Sequence, residues 1–175
     1  MPAMGLGLWK IPVDVCEQVV YDAIQVGYRC LDGACDYGNE KEVGRGIKKA
    51  LDDSLVKRDQ LWVTSKLWNT YHRKEHVRDA CLKSMADLGV DYLDLYLVHF
   101  PIALKFVPIE TRYPPGWNYG EAPGMEEDSV SYEETWHAME ALVKEGLVRN
   151  IGLSNVGTAS IRDALNYAEI KPSVL

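Results

Sequence analysis

Residues 28–51, "YRCLDGACDYGNEKEVGRGIKKAL", contain one complete structural unit, and its reading decides the fold. Tyr28–Ala34 is a short apolar run, the mark of a buried strand, broken near its end by Asp32. A loop carrying Asp36 and Tyr37 follows. Val43, Ile47, Ala50 and Leu51 then recur at helical spacing, so a helix comes next. The same cadence continues on both sides. Further strand candidates are Met4–Trp9, Leu61–Trp68, Asp94–Phe100 and Asn150–Asn155, with a stump at Ser173–Leu175. Between them, Cys16, Val19, Val20, Ala23 and Ile24 form one helical face, stopped by Gly27. Val77, Ala80, Cys81, Ser84, Met85 and Leu88 form another, stopped by Gly89. Ser131-x-x-Glu134 has the spacing of a capping box ahead of Trp136, Met139, Leu142 and Val143. Ile161, Ala164, Leu165 and Ala168 make the last face. Strand and helix alternating at this interval predict crossover units on a parallel sheet, an α/β fold.

Composition excludes several function classes. A chain of 175 residues that is 47% hydrophobic has enough apolar material for one domain. A net charge of −7 without any Lys/Arg-rich run argues against nucleic acid and anionic membranes as partners. No apolar run approaches a spanning helix, and the first residues lack the basic region of a signal peptide. Cys16, Cys30, Cys35 and Cys81 form no C-x-x-C pair. They read as free buried thiols in a reducing, cytoplasmic compartment, with no metal site.

The open dinucleotide-binding variant of the α/β fold is disfavoured. It needs G-x-G-x-x-G after the first strand, whereas Gly5-x-Gly7 lies within a strand and Gly44-x-Gly46 within a helix. A closed barrel needs eight units and about 250 residues. This sequence supplies about five and a half, so it reads as an incomplete (β/α)8 barrel forming a single domain over residues 1–175. Residues 101–130, rich in proline and without strand or helix period, read as a long active-site loop, since it follows a strand's C-terminal end.

The spacing also places chemistry. Asp32 to Lys66 is 34 residues and Lys66 to His99 is 33, one unit per step. All three sit at the ends of consecutive strands, and Tyr37 reaches the same place from a loop. A buried ammonium needs a partner, and Asp32 supplies one. A phenol is a weak acid at neutral pH, but a neighbouring ammonium stabilises the phenolate and makes it a better proton donor. A neutral His99 beside it could orient a carbonyl. Such parts suit proton donation to a carbonyl oxygen as hydride reaches carbon. Taken singly, each has a plainer reading as a rim or packing residue. His72, His76 and His137 read as surface or helix histidines without chemistry.

The stretches "GYRCLDGACDYGNEKEVG", "VTSKLWNTYH", "DYLDLYLVHFPIALKFVPIE", "TWHAMEALVKEGLVRNIGLSN" and "KPSVL" resemble the aldo-keto reductase family across essentially the whole chain. Within that family, "HFPIALKFVPIETRYPPGWNYG" is most similar to D-xylose (aldose) reductases. The resemblance implies a (β/α)8 barrel binding NADPH, or NADH, across its C-terminal mouth. It implies a catalytic tetrad of Asp32, Tyr37, Lys66 and His99, with Tyr37 as general acid. Ser154 and Asn155 match the pair that holds the nicotinamide carboxamide, and Trp9 matches a tryptophan of the substrate pocket. His99 and Phe100 also face substrate, and Asp36 is expected to accept sugar hydroxyls, against the plainer reading of a solvated carboxylate. The N-terminal hairpin, the later strands and the 2′-phosphate site of the family pattern have no counterpart here. The expected partner is a small aldehyde or aldose, and the full-length form is compatible with a homodimer. Two alternatives stay open: a sugar-phosphate reductase of the same family, and a non-catalytic structural or regulatory relative.

Overall fold

A computed structural model of the chain describes residues 1–117 and 126–175. Its strands are β1 (Leu6–Gly7), β2 (Cys30–Asp32), β3 (Trp62–Leu67), β4 (Leu95–Val98) and β5 (Ile151–Leu153). They form one sheet in the order β1-β2-β3-β4-β5, and every neighbouring pair is parallel. The helices are α1 (Val13–Gln25), α2 (Glu40–Asp52), α3 (Lys74–Leu88), α4 (Tyr132–Lys144) and α5 (Thr158–Tyr167). Spatial order follows chain order without reversal. The sheet therefore has no topological switch point of the doubly wound kind and grows in one direction, as a barrel wall does.

Side-chain alternation along the strands separates two faces. Leu31, Val63, Leu67, Tyr96, Val98 and Ile151 are buried in the core that also holds Val20, Ile47, Val77, Cys81, Trp136 and Met139 from the helices. The opposite, concave face carries Cys30, Asp32, Thr64, Lys66, Leu95 and Leu97, which line a shared cavity with Ser154. Burying the helix layer against one face thus commits Asp32 and Lys66 to the other. Gly44 and Gly46 explain how closely α2 can pack. A Cβ at Gly44 would stand 2.5 Å from the Asp87 carbonyl oxygen on α3, and one at Gly46 would stand 2.7 Å from that of Glu17 on α1. These glycines serve helix packing and have no role as a phosphate loop.

Several expected boundaries shift. Met4–Trp9 pairs only over Leu6–Gly7, because the chain turns at Trp9 and Lys10, where φ is 64°. Ser173–Leu175 is not a strand, although it runs beside β5 and exchanges the Leu153 N–H to Val174 and Ser173 N–H to Ile151 hydrogen bonds. Leu165 is exposed, so α5 buries a narrower stripe than its periodicity implies. Only half of the capping box forms. The Ser131 hydroxyl accepts from the Glu134 N–H at 3.1 Å, but the Glu134 carboxylate accepts from the Lys74 N–H instead, tying α4 to the start of α3. His72 reads from sequence as a surface or helix histidine, but it is buried at 2% exposure at the end of the Asn69–Tyr71 3-10 turn, and burial pulls its pKa down to about 4.

The long connection after β4 is anchored at both ends. The Leu104 N–H donates to the Asn69 carbonyl at 2.9 Å, and Leu104 bridges Glu127. Asp128 accepts two hydrogen bonds of 2.6 Å from Arg73, the fork geometry of a guanidinium on a carboxylate. Residues 118–125 of the expected active-site loop lie outside the described residues. Among the described residues no helix is long and apolar enough to cross a membrane, and all four cysteines are free and buried.

Candidate active site

Asp32 is the last residue of β2, and Lys66 is the penultimate residue of β3. The register sets Asp32 opposite Thr64, two residues before Lys66 on the same face. The Lys66 side chain is 6% exposed, so its ammonium must find partners within the protein. It has three. Lys66 Nζ donates to Asp32 Oδ1 at 2.7 Å, to the Gly33 carbonyl at 2.9 Å and to the Tyr37 hydroxyl at 3.0 Å. An ammonium carries three N–H donors, so this set is complete. Because the Tyr37 oxygen accepts from Lys66, its own O–H is left to donate elsewhere. Asp32 differs from Lys66 in one respect. Its side chain is 49% exposed, so it is a rim carboxylate and not a buried one.

Tyr37 arrives by way of a short 3-10 turn, Cys35–Tyr37, which ends at Gly38 with φ 71°. That positive φ lets the chain reverse into α2 directly after the phenol. His99 follows β4 and is held by its own backbone, which donates to the Leu67 carbonyl at 3.1 Å. Its ring meets Tyr37 edge-on at 5.8 Å and Trp68 edge-on at 5.4 Å, and stacks on Phe100 at 4.7 Å. Burial, and secondarily the Lys66 charge, lower the His99 pKa to about 3, so the imidazole is neutral at physiological pH. Its Nδ1 is buried without a partner among the described residues, which leaves Nε2 as the nitrogen to meet a ligand.

The remaining expected residues surround this cluster. Trp9 is 64% exposed, with its ring 6.5 Å from Tyr37 and the Lys10 ammonium 4.4 Å over its face. Asp36 is partly buried and makes no hydrogen bond or ion pair among the described residues. Burial raises its pKa to about 6. Ser154 and Asn155 follow β5 as His99 follows β4. Asn155, at φ 57°, donates from Nδ2 to the His99 carbonyl at 2.8 Å and to Ser154 Oγ at 3.0 Å, which ties the ends of β4 and β5 together. Ser154 lines a cavity of about 300 Å3 with Asp32, Lys66 and Leu97.

Sequence reasoning missed two aromatic residues. Trp68 is fully buried, and Trp117 from the long loop meets both Trp68 and Phe100 edge-on at 4.8 Å. Trp68 carried a signal, since it stands two residues past Lys66. Trp117 carried only its presence as an aromatic residue in a proline- and glycine-rich stretch.

A parallel wall with a Lys-Asp-Tyr cluster and a neutral histidine at its strand ends defines the class, and the sequence pattern of the Aldo/keto reductase family matches residues 3–175. The chain belongs to that family. It is 52% identical over its whole length to an NAD(P)H-dependent D-xylose reductase of Scheffersomyces stipitis and 51% identical to a 4-dihydromethyl-trisporate dehydrogenase of Mucor mucedo. It covers 55% and 54% of those two proteins, so it spans about half the length of the curated relatives it matches. Among solved structures, the aldose reductase of Schistosoma japonicum superposes with a TM-score of 0.90 at 41% identity, over 98% of this chain and 55% of that one. An aldo-keto reductase of Bombyx mori in complex with NADP superposes with a TM-score of 0.85 at 37% identity, over 98% of this chain and 52% of that one. The fold is accordingly part of a (β/α)8 barrel.

Proposed function

We propose that the protein carrying this chain reduces the carbonyl of an aldehyde or open-chain aldose to the alcohol, in the manner of D-xylose to xylitol, with NADPH or alternatively NADH as the reductant. The observation that carries this reading is the completed donor set of Lys66, which leaves the O–H of Tyr37 free to donate a proton. Tyr37 acts as general acid toward the carbonyl oxygen. Lys66 stabilises the phenolate left behind, and Asp32 holds Lys66 in place. The neutral His99 donates a hydrogen bond that fixes the direction of the carbonyl.

The residues present fit a nicotinamide. Ser154 and Asn155 offer a hydroxyl and an amide two strands from Lys66, a donor and acceptor set suited to a carboxamide, and Ser154 lines the same cavity as Lys66. When bound, the nicotinamide supplies the hydride. Relatives named for NAD(P)H-dependent xylose reduction support the same reading. Asp36, partly buried and without a partner among the described residues, is the acceptor we assign to sugar hydroxyls, because a buried acceptor discriminates strongly for a substrate that satisfies it.

A second reading rests on exposed Trp9 and on the partly buried rings of Phe100 and Trp117, backed by buried Trp68, a set that suits an apolar carbonyl compound. The Mucor mucedo relative, named for a dihydromethyl-trisporate, is in keeping with it. The test follows NADPH oxidation by a protein carrying the complete barrel, with xylose, glyceraldehyde and benzaldehyde. Turnover of xylose ahead of benzaldehyde at equal concentration is expected. Turnover of benzaldehyde alone selects the second reading, and no oxidation of NADPH or NADH with any of them overturns both.

A further inference from the structure

A second polar cluster lies behind the sheet, on the helix side of β3. Glu40, the first residue of α2, is 4% exposed yet carries a carboxyl group. Ser65 donates to its Oε1 at 2.6 Å, and Ser84 of α3 donates to its Oε2 at 3.1 Å. Since Ser84 donates to Glu40, the 3.1 Å contact between Ser84 Oγ and the Tyr113 hydroxyl runs from Tyr113 to Ser84. Tyr113 also stands 3.5 Å from Glu40 Oε2, at the limit of a hydrogen bond. The chain Tyr113–Ser84–Glu40–Ser65 therefore links four segments: the long loop, α3, α2 and β3. Two of its members lie close to the active site in sequence. Ser65 immediately precedes Lys66, and Glu40 comes three residues after Tyr37.

Around Tyr113 the loop does not lie flush on the helices. A cavity of about 420 Å3 separates residues 109–114 from α2 and α3, lined by Glu40, Lys83, Asp87 and Arg112 among others. Ile109 and the Tyr113 ring still pack against the core, the ring 6.2 Å from that of Tyr71, and the polar contact of the Tyr113 hydroxyl adds direction to that packing. The Lys83 ammonium, 4.6 Å over the Tyr113 ring, supports the same position. Four residues further on, Trp117 closes the aromatic wall against Trp68 and Phe100, and both of these touch His99.

We propose that Tyr113 is a positioning residue, whose hydroxyl, held by Ser84 on buried Glu40, latches the β4–α4 loop so that Trp117 completes the substrate wall. This rests on the carbonyl-reductase reading for its catalytic consequence but not for its structural one. The latch touches none of the reacting groups, so it governs substrate capture and leaves the chemical step alone.

The experiment uses a protein carrying the complete barrel and the variants Tyr113→Phe and Ser84→Ala, each of which removes one hydroxyl without a charge change. Amide hydrogen exchange is read at Thr111 and Arg112, whose N–H groups donate to the Pro108 carbonyl at 3.0 and 3.2 Å. Losing a hydrogen bond of ordinary strength should speed their exchange roughly fivefold, and the double variant should add nothing further. KM for benzaldehyde should rise about fivefold with kcat within twofold, and this rise should vanish in a Trp117→Leu background. Unchanged exchange overturns the latch. Faster exchange with unchanged KM overturns its role toward substrate, as does a fall in kcat at constant KM. A protein that reduces no carbonyl refutes the proposed function alone, because the exchange measurement still decides the latch.

Discussion

The Lys66 ammonium stands 3.0 Å from the Tyr37 hydroxyl, although 29 residues separate the two along the chain. Strand β3 brings Lys66 up on the concave face, and the Cys35–Tyr37 turn brings the phenol down onto it. The remaining two protons of the ammonium go to Asp32 and to the Gly33 carbonyl, both within one residue of the end of β2. The geometry thus depends on two adjacent strands in parallel register and on one tight turn.

Tyr37→Phe removes the proposed donor, together with one of the three acceptors of the Lys66 ammonium. In a protein with the complete barrel, turnover should fall roughly 10²–10⁴-fold, the usual contribution of a general acid. Binding of NADPH, read by fluorescence titration, should stay within about twofold. Activity within about twofold of the parent would refute the assignment.

Lys66→Met separates chemistry from stability. Asp32 is half-exposed, so water can take over the ion-pair partner's role, and methionine fills the space of a side chain that is itself buried. We expect an activity loss comparable to that of Tyr37→Phe, with Tm lowered by only a few degrees, in keeping with ~1 kcal/mol for a partly exposed pair. A collapse of Tm would make Lys66 a structural residue first.

Asp36→Ala tests the sugar contact. A hydrogen bond to a charged acceptor contributes ~1.5–3 kcal/mol, so kcat/KM for xylose should drop roughly 10- to 100-fold while a simple aldehyde without hydroxyls is spared. The contact should also depend on pH. Burial raises the Asp36 pKa to about 6, so the carboxylate is charged above that value and is lost as pH falls through it. Xylose should therefore lose its advantage over the simple aldehyde below pH 6 in the parent and show no such change in the variant. Equal losses on both substrates would mean that Asp36 only shapes the loop.

Glu40 leaves a signature in stability. Burial is the largest influence on its carboxyl and raises the pKa to about 7, opposed by the hydrogen bonds from Ser65 and Ser84. The folded state therefore holds a proton that the unfolded state has released above the ordinary value of 4.5. Where the folded state binds more protons, stability falls as pH rises, here between about 4.5 and 7. Glu40→Gln should remove that decline, a difference on the order of 3 kcal/mol at neutral pH between parent and variant. Urea unfolding at a series of pH values reads it, and parallel curves for the two proteins would exclude a titrating Glu40.

Much of this was legible in the residues because periodicity is local. Strand and helix alternate at intervals set by chain geometry, so the five parallel strands, their order of appearance and the equivalence of Asp32, Lys66 and His99 as strand ends could be read from spacing. The long motifs then carried the resemblance to the family. The absence of a phosphate loop was also legible, since Gly44 and Gly46 fall inside a helical period.

What only the tertiary structure decided concerns distances across the sheet. No periodicity says that Asp32 remains half in water, that His72 is buried, or that the Gly33 carbonyl supplies the third acceptor for Lys66. The pairing of Glu40 with Ser65, Ser84 and Tyr113 joins residues up to 73 positions apart, and the meeting of Trp117 with Trp68 depends on where a loop without periodicity comes to rest. Sequence determines which face a side chain takes, because that follows from the repeat of its own strand or helix. Which side chains meet depends on the packing of whole elements, and that is settled only when the sheet and its helices close around one core.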